Sequence, residues 1–91
     1  MQTNPLFGKS LAAKHLEDLV KDDPLLRRKT MRFITNYFHF VDTIATLTDA
    51  AVVKKTLNLP YPMAFEAPKD VHTLCANLMA ARKRNVLARF R

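Results

Sequence analysis

One glycine in 91 residues, Gly8, constrains this chain more than any other feature. The tight turns that join hairpin strands need positive φ at a central residue, and glycine is the residue that adopts it at no steric cost. A chain without a supply of such turns is poorly equipped to build a sheet, so the expected class is all-α. The prolines then act as punctuation, at Pro5, Pro24, Pro60, Pro62 and Pro68.

Ser10 can cap a first helix over about residues 10–22, in which Leu11, Leu16, Leu19 and Val20 fall on one side. Asp23-Pro24 is a restart signal, because Asp accepts from free N–H groups and Pro at the first helical position forfeits no hydrogen bond. The helix that follows, about 24–47, is the expected centre of the fold. At about 100° per residue, Leu26, Phe33, Ile34, Tyr37, Phe38, Phe40, Val41, Ile44 and Leu47 cover more than half its circumference. Its other strip starts with Arg27, Arg28, Lys29 and Arg32 and then becomes uncharged but for one carboxylate, through Thr35, Asn36, His39, Asp42, Thr43 and Thr46. A solvated polar face is the simpler reading of that strip, and a partner-facing one the alternative.

Thr48 or Asp49 can cap a short helix at about 49–58, which Pro60 stops. The connector 59–67, LPYPMAFEA, alternates Leu59, Tyr61, Met63 and Phe65, the period of an extended strap with one apolar side. It is expected to close one side of the core, with presentation of Tyr61 and Phe65 to a partner as the sharper alternative. Pro68 opens the last helix, about 68–90, whose apolar residues are Val71, Leu74, Cys75, Leu78 and Met79 and then Val86, Leu87 and Phe90. The expected product is a compact bundle of three to four helices forming a single domain over 1–91.

Net charge is +7 and unevenly placed. Through Asp49 there are seven Lys or Arg against six Asp or Glu, and from Ala50 onward eight against two, Glu66 and Asp70. Such asymmetry favours an acidic partner, whether DNA, RNA, an anionic surface or an acidic protein. The stretch FITNYFHFVDTIATLTDAAVV carries Asn36, His39, Asp42 and Asp49, too polar for a membrane span, so no transmembrane segment is expected. A single cysteine and the lack of a leader-like start point to a reducing, cytoplasmic compartment.

Motifs for catalysis are weak. His72 and Cys75 lie one helical turn apart, yet Cys75 falls on the apolar stripe and no glycine-rich loop accompanies it. Phosphate-loop and dinucleotide motifs need several glycines in one turn. Neither an enzyme, a metal site nor a cofactor is expected. A helix-turn-helix is excluded in its standard form, because the connector 59–67 exceeds the three or four residues of that motif.

Two basic clusters remain. RRKTMR places Arg27, Arg28, Lys29 and Arg32 in the opening turns of a helix, where they face its positive end, an unfavourable position that binding of phosphate would relieve. RKRNVLARFR holds Arg82, Lys83, Arg84, Arg89 and Arg91 where a helix C-terminus welcomes cations. Arg82 and Arg89 project along the line of Val71 and Leu78, so the core face turns basic after Met79. That switch has three explanations: an overhang beyond the core, pairing with an acid such as Asp18 or Asp42, or insertion into a polyanionic groove. The leading expectation is a non-catalytic accessory or regulatory subunit that contacts nucleic-acid phosphates through Arg82, Lys83, Arg84, Arg89 and Arg91, with Arg27, Arg28 and Arg32 as a second surface. The alternative is a protein-interaction module in a larger assembly that docks an acidic protein, with Tyr61, Phe65, Val86 and Phe90 as apolar contacts.

Overall fold

The computed structural model describes residues 11–90, so Ser10 and Arg91 lie outside the described residues. Four helices and no strand occur among them, α1 (Leu11–Val20), α2 (Pro24–Ala45), α3 (Ala50–Leu57) and α4 (Lys69–Leu87), which makes the fold an all-α bundle. The bundle is flat, 42 × 31 × 17 Å, about two helix layers thick.

Local chemistry sets the helix ends. Asp23 caps α2, its Oδ1 accepting from Leu26 N at 3.1 Å, with Pro24 behind it in the first turn. Asp49 rather than Thr48 caps α3, its Oδ1 accepting from Ala51 N at 3.0 Å and Val52 N at 3.3 Å. Each cap contributes about 1 kcal/mol. The long helix stops at Ala45, short of the expected residue 47. Thr46 N and Leu47 N donate to Thr43 and Ile44 carbonyls three residues back, and the Thr46 hydroxyl also donates to the Thr43 carbonyl at 2.7 Å. This tightened turn takes Leu47 off the apolar face and leaves it 43% exposed. Helix α4 has Pro68 as its cap residue with no side-chain cap bond, and it ends at Leu87. Ala88 and Arg89 follow as a turn, and Arg89 N and Phe90 N donate to the Val86 and Leu87 carbonyls.

The core has two parts. Ala13, Leu16, Val20, Phe33, Ile34, Val71, Cys75 and Leu78 join α1, α2 and the first half of α4. Tyr37, Val41, Val53, Leu57 and Val86 join the second half of α2 to α3 and the end of α4. Phe38, Tyr61 and Met79 pack against both. On α1 the buried stripe is Ala13, Leu16 and Val20, so Leu11 and Leu19, expected on that side, stand 71% and 46% exposed. Spacing explains this: 13, 16 and 20 follow the i, i+3, i+7 line, and Leu19 is turned about 100° from Val20. Thr30 lies fully buried on the inner face of α2, and its Oγ1 finds no hydrogen-bond partner among the described residues.

The connector runs as an extended strap with its apolar side inward. Tyr61, Met63, Phe65 and Ala67 all pack against the first cluster. Leu59 departs from that pattern at 60% exposed.

Candidate polyanion-binding surface

The second half of α4 leaves the first core cluster at Leu78 and re-enters the core at Val86. Between them, Arg82 occupies the inward-facing line. Its Nη2 donates to both carboxylate oxygens of Asp42 on α2 at 2.7 Å, and its guanidinium carbon lies 5.0 Å from the centroid of the Phe38 ring. Of the three explanations for the basic turn of this face, pairing with Asp42 is the one the structure displays. The side chains are 35% and 49% exposed, a degree of solvation at which an ion pair contributes about 0–1 kcal/mol. The ring contact adds about 0.5–1 kcal/mol. Against this, the Arg82 Nε is buried and has no hydrogen-bond partner among the described residues. Arg82 is thus a tie between α2 and α4 rather than a free cation.

Its neighbours differ. Arg84 and Arg89 are exposed and Lys83 half-buried, and among the described residues none of the three has an ion-pair partner. Lys83 lies at the mouth of a groove of about 290 Å³ shared with Leu57, Asn58 and Leu59 at the end of α3. The last turn of α3 itself carries Lys54 and Lys55, both exposed. Sequence reading passed over these two lysines. Val53 and Leu57, four residues apart, are the buried pair of α3, and that spacing already turns positions 54 and 55 outward. What no spacing reveals is that α3 packs on the end of α4, so that Val53, Leu57 and Val86 share one cluster and the two sets of cations share one end of the bundle.

Carboxylates near that end are engaged: Asp42 by Arg82 and Asp49 by the α3 N-cap. Glu66 and Asp70 belong to the strap and the first turn of α4, at the opposite end of that helix. The apolar residues beside the cations face inward. Val86 is fully buried, and Phe90 packs on the second cluster. Val86 thus belongs to the core, and Phe90 is partly buried against it.

The other basic cluster lies apart from this end. Arg27, Arg28, Lys29 and Arg32 are exposed on the first turns of α2. Lys29 and Arg32 line a cleft of about 460 Å³ between α2 and the strap, together with Phe33, Asn36, Ala64, Phe65 and Glu66. Tyr61 and Phe65 are held by ring contacts within the chain. Tyr61 meets Tyr37 edge-on at 4.8 Å, and Phe65 lies 5.3 Å from Phe33 and 5.4 Å, edge-on, from His72.

Cys75 is fully buried, and burial pushes its thiol up to about 11. Burial thus favours the neutral thiol over the thiolate at neutral pH. His72 is anchored through Nε2, 2.9 Å from the Phe65 carbonyl oxygen. Among the described residues no group of three His, Cys, Asp or Glu side chains is placed to hold a metal ion, and no helix is long and apolar enough to cross a membrane. No protein-family model, curated protein or solved structure matches the chain.

Proposed function

We propose that the protein is a non-catalytic accessory or regulatory subunit that binds nucleic acid through phosphates, using Lys83 and Arg84 of α4, Arg89 in the turn that follows it, and Lys54 and Lys55 of α3. The observation that carries this reading is the cation-rich end of the bundle, where two packed helices present these side chains while the nearby carboxylates Asp42 and Asp49 are engaged elsewhere. Helices that are already folded spare the cost of ordering the backbone, and each cation that neutralises a phosphate releases condensed counterions. Arg82 acts indirectly by holding α4 against α2. Arg27, Arg28 and Arg32 form the second, separate surface, and Arg91, which follows this stretch in sequence, lies outside the described residues.

Titration of a labelled duplex at about 50 to 200 mM salt tests this. The expected result is a linear fall of log K with log salt, with a slope of about −0.9 for each phosphate neutralised. Lys83→Glu with Arg84→Glu should flatten the slope by about two phosphates and weaken binding at least tenfold at low salt. Salt-independent binding, or a charge-reversed variant that binds as the parent does, overturns the reading. An acidic protein partner is the second reading, favoured by Leu47, Val52 and Leu59, which stand 43%, 43% and 60% exposed around α3 beside the same cations. Capture of a protein that survives nuclease treatment and is lost in the charge-reversed variant selects it.

A further inference from the structure

The cleft between α2 and the strap holds three chemistries in one place. Lys29 and Arg32, three residues apart on α2, supply cations. Phe65 supplies a ring that is partly buried against the core and partly open to the cleft, with its position set by Phe33 and His72. Asn36 and Glu66 supply an amide and a carboxylate. Among the described residues no ion pair joins Glu66 to Lys29 or Arg32, so the charges are not consumed by one another. A volume of about 460 Å³ is in the range of small-molecule sites.

From this set we infer that the cleft binds a single nucleotide unit with its base unstacked, the phosphate on Lys29 and Arg32 and the base against Phe65. An Arg fork matches phosphate oxygens geometrically. A carboxylate in the same cleft repels a bare polyanion and calls for an N–H donor beside the phosphate, which a nucleobase edge provides. Asn36, with a donor and an acceptor, suits the same edge. A base paired inside a duplex has its Watson–Crick edge occupied and its faces stacked, so the ligand is a free nucleotide or one residue of a single strand. This inference rests on the nucleic-acid reading and deepens it; it shares only Arg32 with that reading's surfaces, and its failure is separable because Asn36 and Phe65 take no part in the α3–α4 surface.

The test uses guanosine 5′-monophosphate, ribose 5-phosphate, a single-stranded ten-nucleotide DNA and the matching duplex, titrated into the full chain by calorimetry. Arg32→Gln and Asn36→Ala change exposed side chains, and circular dichroism confirms that each variant keeps its helices. The nucleotide or the single strand is expected to lose about tenfold in affinity in each variant, with duplex binding unmoved by Asn36→Ala, and ribose 5-phosphate is expected to bind at least tenfold more weakly than the nucleotide. Loss for the single strand alone identifies a strand residue as the occupant, and loss for the free nucleotide identifies the soluble ligand. Ribose 5-phosphate binding as tightly as the nucleotide, or neither variant altering either ligand, overturns the inference. Duplex binding that is absent while the nucleotide binds and responds to Arg32→Gln removes the α3–α4 reading and leaves the cleft standing.

Discussion

Cys75 illustrates how far the environment of one side chain reaches into the stability of the fold. Its ordinary pKa of 9.0 applies to the unfolded chain, whereas burial holds the folded thiol protonated until about 11. Between these values the folded state binds the proton and the unfolded state does not, so stability falls as pH rises, by up to about 1.4 kcal/mol per unit, and the loss levels off above about 11. Below about 9 both states are protonated and the thiol adds no pH dependence. Tyr37, raised by burial and by Tyr61, acts in the same direction at higher pH. Urea unfolding at intervals from pH 8 to 11 should therefore show the stability gap between the parent and Cys75→Ala narrowing across this window. A constant gap contradicts the assignment. The sequence made the burial of Cys75 legible through its place on the stripe with Val71 and Leu78. The pairing of Arg82 with Asp42 was legible only as one option among three, because a partner forty residues away on another helix is set by how the helices pack.

At the scale of elements, the strap is the segment whose period and structure agree best, and the one place they part is instructive. Tyr61 packs on Tyr37, Phe40 and Phe33, with ring centroids 4.8, 5.3 and 5.9 Å apart. Leu59, on the same period, is solvent-facing because its N–H still donates to Thr56 in the turn that ends α3. The extended alternation begins after that turn. Tyr61→Ala should cost roughly 3 kcal/mol, since it strips an aromatic from both core clusters, and Leu59→Ala should stay within about 0.5 kcal/mol. Equal midpoints for the two variants in thermal melts would count against this division. Helix ends follow the same logic: Asp23 and Asp49 were readable as caps because their chemistry is local. Helix α2 stops at Ala45, two residues before the approximate end expected at 47, because the three-residue hydrogen bonds onto the Thr43 and Ile44 carbonyls leave little trace in hydrophobic spacing.

For the whole molecule, the two core clusters are joined by α2 and α4, which run through both, and by Phe38, Tyr61 and Met79, which pack on both. One cooperative unfolding transition is expected, with equal calorimetric and van't Hoff enthalpies, and two resolved transitions would show that the halves fold independently. The sequence by itself determined the all-α class, the order of the four helices, the inward side of the strap and the excess of positive charge after Ala50. Each follows from local rules of glycine and proline placement, capping and hydrophobic period. Tertiary packing alone settled which charged elements lie together. Packing of α3 on the end of α4 puts Val53 and Leu57, on the helix that carries Lys54 and Lys55, in one cluster with Val86, and Asp42 engages Arg82. The strap crossing α2 creates a cleft that joins Lys29, Arg32 and Asn36 to Phe65 and Glu66. The physical reason is common to these cases: spacing along a helix fixes the direction of a side chain, but the partner it meets depends on contacts between residues far apart in the chain.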